Sequence, residues 1–194
     1  MFTGTRRTCP TVAGVLLLIN GAPGVGKSTL AQRYADDHPL ALIIDVDSIR
    51  THLGKWAEVD ESKLVARDLA VALARAHLLD GHDVIVPQYL GRPEFRERLR
   101  LLATGADVSF AEVLVTDDAD RITQRFRERR VEYARTGAAH PEGDLKDEAV
   151  ATEVARANEL LLRDAQSRGV LVISAARGAD ASYRALCDGL ASHH

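Results

Sequence analysis

Two hydrophobic rhythms alternate along the chain. Short unbroken apolar runs read as strands buried on both faces, and longer stretches with apolar residues every three or four positions read as helices. This patterning predicts strands over residues 15–20, 40–47, 83–88, 108–116 and 170–175. It predicts helices over 27–36, 61–80, 93–103, 118–135, 146–168 and 179–192. In the helix over 61–80 the period is carried by Val65, Leu69, Ala72, Leu73 and Ala76. In the helix over 146–168 it is carried by Val150, Val154, Ala157, Leu161 and Ala165. Gly81 and Gly169 stop these two helices, and a break containing Gly and Pro falls at 137–143. Strands alternating with helices imply an α/β domain with a parallel sheet of five strands covered on both faces.

Composition narrows the class without naming it. A length of 194 residues suits one domain with a small inserted lid. With 46% hydrophobic and 27% charged residues, a disordered or fibrous chain is excluded. No apolar run approaches a membrane span. The net charge of −3 argues against broad nucleic-acid binding, which needs a basic face. Residues 1–14 read as a loose arm: Arg6 and Arg7 are present, but no apolar signal segment precedes the first strand. Cys9 and Cys187 have no metal-ligand or CxxC spacing, so reduced thiols and a cytoplasmic location are expected. Among 25 basic residues only four are lysines, Lys27, Lys55, Lys63 and Lys146.

Lys27 stands in the most informative segment. Gly21-Ala22-Pro23-Gly24-Val25-Gly26-Lys27-Ser28 fits GxxxxGK[ST], follows a predicted strand and opens a predicted helix. Glycines let backbone N–H groups wrap a phosphate, and the helix N-terminus adds its positive dipole end. Lys27 then reaches the β- and γ-phosphates, Ser28 can ligate Mg²⁺, and Thr29 follows in the nucleotide-binding turn. A nucleoside triphosphate is the expected ligand and a three-layer P-loop NTPase sandwich the expected fold.

The end of the second predicted strand carries Asp45 and Asp47. Ligands of open parallel sheets sit beyond the carboxyl ends of the strands, which puts both acids near the phosphate loop. One can support Mg²⁺ while the other takes a proton from a substrate hydroxyl attacking the γ-phosphate. Alternatively, they end the strand and cap the helix after it.

The phosphate loop, these aspartates and a later Arg-rich segment occur in the order found in small P-loop kinases of the adenylate-kinase-like group, which the chain resembles from residue 15 onward. Chloramphenicol phosphotransferases and polynucleotide 5′-hydroxyl kinases are close likenesses; shikimate and gluconate kinases are more distant. The resemblance implies Asp47 as base, Arg50 as a substrate contact and Asp45 as the acid on the metal side. It also implies a helical lid over about 118–145, in which Arg125 and Arg129, four apart on one helix face, clamp the triphosphate. Arg129 and Lys27 would stabilise transition-state charge. The bland alternative for these arginines is a solvated helix face paired with Glu128 and Glu132. Residues 174–178 fall where such kinases hold the nucleobase.

There is one departure. Many relatives carry an acid at the end of the third strand, where this chain has Val86-Pro87-Gln88-Tyr89-Leu90. Gln88 and Tyr89 read instead as substrate-facing, with core packing the alternative for Tyr89. Trp56 either walls the acceptor pocket or anchors its loop. The expected function is transfer of the γ-phosphate of ATP or GTP, with Mg²⁺, to a hydroxyl of a small molecule such as an antibiotic or a nucleoside- or sugar-like natural product. A polynucleotide 5′-hydroxyl kinase and a P-loop ATPase or nucleotide switch are the alternatives. Oligomeric state has no signal in the sequence.

Overall fold

Val15–Asn20 (β1) is buried along its whole length, as the unbroken apolar run requires. The computed structural model, which describes residues 14–136 and 147–192, places β1 at the centre of a five-stranded sheet. The other strands are β2 (Leu42–Ile43), β3 (Val84–Gln88), β4 (Ser109–Thr116) and β5 (Leu171–Ser174). They lie in the order β2-β3-β1-β4-β5, with every pair parallel. The helices are α1 (Lys27–Asp37), α2 (Val46–Thr51), α3 (Ser62–Leu79), α4 (Pro93–Gly105), α5 (Ala119–Thr136), α6 (Asp147–Ser167) and α7 (Ala179–Ser192). The arm expected over 1–14 falls, but for Gly14, outside the described residues, as does the break at 137–143.

Alternate residues of β1 feed two cores. Leu17 and Ile19 pack with Leu30 and Tyr34 of α1, Ile122 and Phe126 of α5 and Leu186 of α7. Leu16 and Leu18 pack with Ala66, Ala70 and Ala74 of α3 and Phe95 and Leu99 of α4. The three-layer α/β sandwich expected from the sequence is borne out.

Two elements differ from the pattern. The strand expected over 40–47 shrinks to Leu42–Ile43, because Asp45 turns the chain into α2. Its carboxylate accepts from the backbone N–H of Asp47 (2.9 Å) and of Ser48 (3.1 Å), an N-cap that satisfies two otherwise orphaned donors. Ile44 and Val46 stay buried through the turn, so the apolar run outlasts the strand. In α3 the inward stripe is Ser62, Ala66, Ala70, Ala74 and Leu78. Val65, Leu69 and Leu73, which carry the predicted period, are 43–50% exposed. The small alanine side chains let α3 lie close on the sheet, and this stripe wins over the bulkier one.

Candidate active site

The loops that follow β1, β2, β3, β4 and β5 all emerge at the carboxyl edge of the sheet, where a parallel sheet binds ligands. The phosphate loop joins β1 to α1. Gly26 is the N-cap of α1 at φ 108°, and Gly24 has φ 84°. A Cβ on Gly24 would stand 2.9 Å from the Ile122 carbonyl oxygen of α5, so this glycine gives both the left-handed turn and the close approach of α5. Lys27 Nζ donates to the carbonyl oxygens of Gly21 and Ala22, each at 3.0 Å. Ala22 and Val25 bury their side chains in the core, which leaves their backbone for a phosphate.

Asn20, buried at the end of β1, latches this loop to the one after β3. Its Oδ1 accepts from the N–H of Gly21 (2.8 Å) and of Leu90 (3.0 Å), and its Nδ2 donates to the Leu90 carbonyl (3.3 Å). Polar Asn at the end of an apolar run was the available signal in the sequence.

Three cavities surround the loop. One, of about 330 Å³, is lined by Gly24, Gly26, Lys27, Ser28, Thr29, Asp45, Asp47, Pro87, Tyr89, Arg125 and Arg129. It therefore joins most of the residues expected to bind nucleotide and metal. A second, of about 180 Å³, lies between Val25, Thr29 and Leu30 on one side and Ala175, Gly178, Ala179 and Ser182 on the other. Residues 175 and 178 stand in the segment expected to hold a nucleobase. The third, of about 440 Å³, is bounded by Pro23, Val46, Asp47, Arg50, Gln88, Tyr89 and Phe126, with α3 and α6 forming its walls. Pro23 thus faces this cavity and is absent from the lining of the one around Lys27.

Asp47 lines both the first and the third cavity. Burial pushes its carboxyl above the ordinary aspartate range, and the charge of Asp45 pushes the same way. A hydrogen bond from the Gln88 side chain, then Lys27 and Arg129, oppose that rise. Gln88 is therefore partner to Asp47 as well as a lining residue, while Tyr89, 37% exposed, faces both cavities and is not core.

Arg125 and Arg129, which share a helix face, both line the phosphate-loop cavity. Arg125 is held by Asp117, whose carboxylate is buried after β4 and lies 3.0 Å from the guanidinium. Arg121 stands 3.9 Å from the same carboxylate and donates to the Ala176 carbonyl at 3.4 Å. Ile122 and Phe126 are fully buried beneath, so the first half of α5 is anchored against the loop.

Trp56 is not part of the cavity wall among the described residues. Its ring centroid lies 4.8 Å from the Arg50 guanidinium, and its carbonyl accepts from Ser62 Oγ at 2.8 Å. Ser62 Oγ in turn accepts from Arg50 Nε at 2.9 Å. Trp56 anchors its loop and fixes Arg50, which does line the cavity. His52 is an exposed C-cap residue of α2.

A family model described as an AAA domain matches residues 16–143, well over half of the chain. The chain belongs to this family of P-loop proteins. Over 151 residues it is 30% identical to an adenylate kinase of Rhizobium rhizogenes, an alignment covering 67% of this chain and 65% of that one. The chain thus spans just under two thirds of the length of that relative. In fold it is similar to a Chloroflexus aurantiacus protein named provisionally as a kinase, with TM-score 0.69 and 19% identity over 94% of this chain and all of that one. It is also similar to a tunicamycin resistance protein of Deinococcus radiodurans, with TM-score 0.55 and 17% identity over 93% and 95% of the two chains. The resemblance to the adenylate-kinase-like group read from the sequence is borne out. No helix among the described residues is long and apolar enough to cross a membrane.

Proposed function

We propose that this AAA-domain chain is a kinase that transfers the γ-phosphate of ATP or GTP to a hydroxyl of a small molecule. One observation carries the reading: Asp47 is shared by the cavity around Lys27 and Ser28 and by the larger cavity beside it. A carboxylate at that junction can accept the proton of a hydroxyl entering from the larger cavity as its oxygen attacks the γ-phosphorus. Its raised pKa makes it a stronger base than an ordinary aspartate. Lys27, released from the Gly21 and Ala22 carbonyls, and Arg129 would meet the charge on the transferring group. Arg125, fixed by Asp117, would hold the triphosphate from the α5 side.

The donor set fits Mg²⁺. No three acidic, His or Cys residues cluster among the described residues, but this ion is commonly held by one or two carboxylates together with phosphates and water. The Ser28 hydroxyl and the Asp45 oxygen not engaged in capping would hold it, and it would supply neutralisation of phosphate charge. Apolar Val46, Phe126, Val154 and Leu160 beside charged groups suit an amphipathic acceptor such as an antibiotic or a nucleoside- or sugar-like natural product. With ATP or GTP as donor, the place of action is the cytoplasm. A polynucleotide 5′-hydroxyl is the second reading, favoured by Asp47 and Arg50 lining one cavity.

The test is a transfer screen with radiolabelled ATP and GTP against hydroxyl compounds and a 5′-hydroxyl oligonucleotide, with Lys27→Ala as control. Label on a small alcohol, lost with Lys27→Ala, is expected. Label on the oligonucleotide alone supports the second reading. Nucleotide hydrolysis without transfer, unchanged in Asp47→Asn, would contradict both.

A further inference from the structure

The larger cavity carries a charge that the proton-transfer role of Asp47 does not explain. Beside Arg50, its described lining includes Lys63 and Arg67 of α3 and Arg156 of α6. Against these four cations stand two acids, Asp47 and Glu153. Lys63 and Arg67 are four residues apart, so they share a helix face and repel one another there. Among the described residues neither Lys63 nor Arg156 makes an ion pair. Arg67 rests 5.5 Å from the Phe95 ring centroid, and Arg50 is braced by Trp56 and Ser62. Arg50 and Arg67 are thus oriented by packing and hydrogen bonds, while the exposed Lys63 of α3 and Arg156 of α6 complete the basic lining.

Gathering four cations around one concave surface costs self-repulsion unless an anion enters. The lining keeps an excess of two positive charges, which matches a phosphate monoester, about −1.5 to −2 at neutral pH, better than a single carboxylate. Planar guanidinium groups also fit phosphate oxygens in pairs.

Resting on the kinase reading, we infer that the acceptor is a phosphorylated alcohol. Its phosphate sits among Arg50, Lys63, Arg67 and Arg156, and its free hydroxyl is presented to Asp47. Lys63, Arg67 and Arg156 then determine specificity and take no part in the chemistry. In the transfer itself the hydroxyl O–H bond breaks toward Asp47, the new O–P bond forms, and the bond from the γ-phosphorus to the bridging oxygen breaks to leave the nucleoside diphosphate. The acceptor's own phosphate is unchanged.

The site can be tested without knowing the acceptor. With the phosphate loop saturated by a non-hydrolysable ATP analogue, inorganic phosphate and, in a parallel arm, acetate are titrated calorimetrically into the full chain. Expected is saturable phosphate binding, at least tenfold weaker acetate binding, and at least a tenfold loss of phosphate affinity in Lys63→Glu and in Arg156→Glu. These substitutions lie on separate helices and at exposed positions, so misfolding of one leaves the other as the test. Equal affinity for acetate would overturn the phosphate assignment. No saturable binding, or binding unchanged in both variants, would overturn the site itself. Extended contacts of a polynucleotide would show as tighter binding of a 5′-hydroxyl oligonucleotide than of phosphate by several orders of magnitude, which contradicts a small acceptor. Because binding needs no turnover, a failed kinase reading leaves the phosphate isotherm intact, and a failed anion site leaves transfer to neutral alcohols intact.

Discussion

Asp47 pays for its position with a carboxyl that is harder to ionise than a free aspartate, burial being the larger cause and Asp45 the next. The folded state therefore holds its proton to higher pH than the unfolded state does. The stability tied to that proton is complete below about pH 3.9, the ordinary aspartate value, and is lost as pH rises through the folded value. Asp47→Asn removes the cost of the buried charge, so its melting temperature should exceed that of wild type at pH 7, with the gap closing as the pH falls toward 4. Thermal melts across pH check this. Asn20 makes the opposite case: Asn20→Ala strands the buried N–H groups of Gly21 and Leu90, at a cost of about 1–3 kcal/mol each where water cannot reach them. Urea denaturation should show the loss, together with weaker nucleotide binding, since the phosphate loop loses its tie to the loop after β3.

At the scale of elements, α3 and α5 show where patterning succeeds and where it stops. Arg125 and Arg129 are legible as a pair because helical spacing alone puts them on one face, and both reach the phosphate-loop cavity. In α3 two apolar stripes share one helix, one of alanines and one of Val65, Leu69 and Leu73, and periodicity cannot rank them. The ranking comes from the distance between helix and sheet, a tertiary quantity. Ala70→Leu should therefore destabilise by about 1–3 kcal/mol through overpacking. Leu69→Lys, at a 43% exposed position, should change stability by less than about 0.5 kcal/mol. A pair of denaturation curves decides it. The short β2 was hidden for a related reason: Asp45 is both a strand-end acid and an N-cap, and Ile44 and Val46 keep the apolar run going through the turn.

For the whole molecule, the order β2-β3-β1-β4-β5 brings the five loops at the carboxyl edge together, and this convergence makes a site out of dispersed residues. The phosphate loop could be read directly because its motif is contiguous. Lys63, Arg67, Glu153 and Arg156 could not, because α3 and α6 are distant in sequence and meet only around the cavity. The same convergence couples ligand binding to global stability. A non-hydrolysable ATP analogue at a hundred times its dissociation constant should stabilise the fold by about 2.7 kcal/mol, and Lys27→Ala should abolish most of that shift at the same concentration.

The central claim is that Asp47 takes the proton of an acceptor hydroxyl at the junction of two cavities. Its most direct test is the initial rate of phosphoryl transfer by wild type and Asp47→Asn on the best acceptor from the screen, with nucleotide affinity measured on the same preparations. The account predicts a rate lower by about 10²–10⁴ with nucleotide affinity changed by no more than about threefold. Transfer by Asp47→Asn at close to the wild-type rate would contradict it.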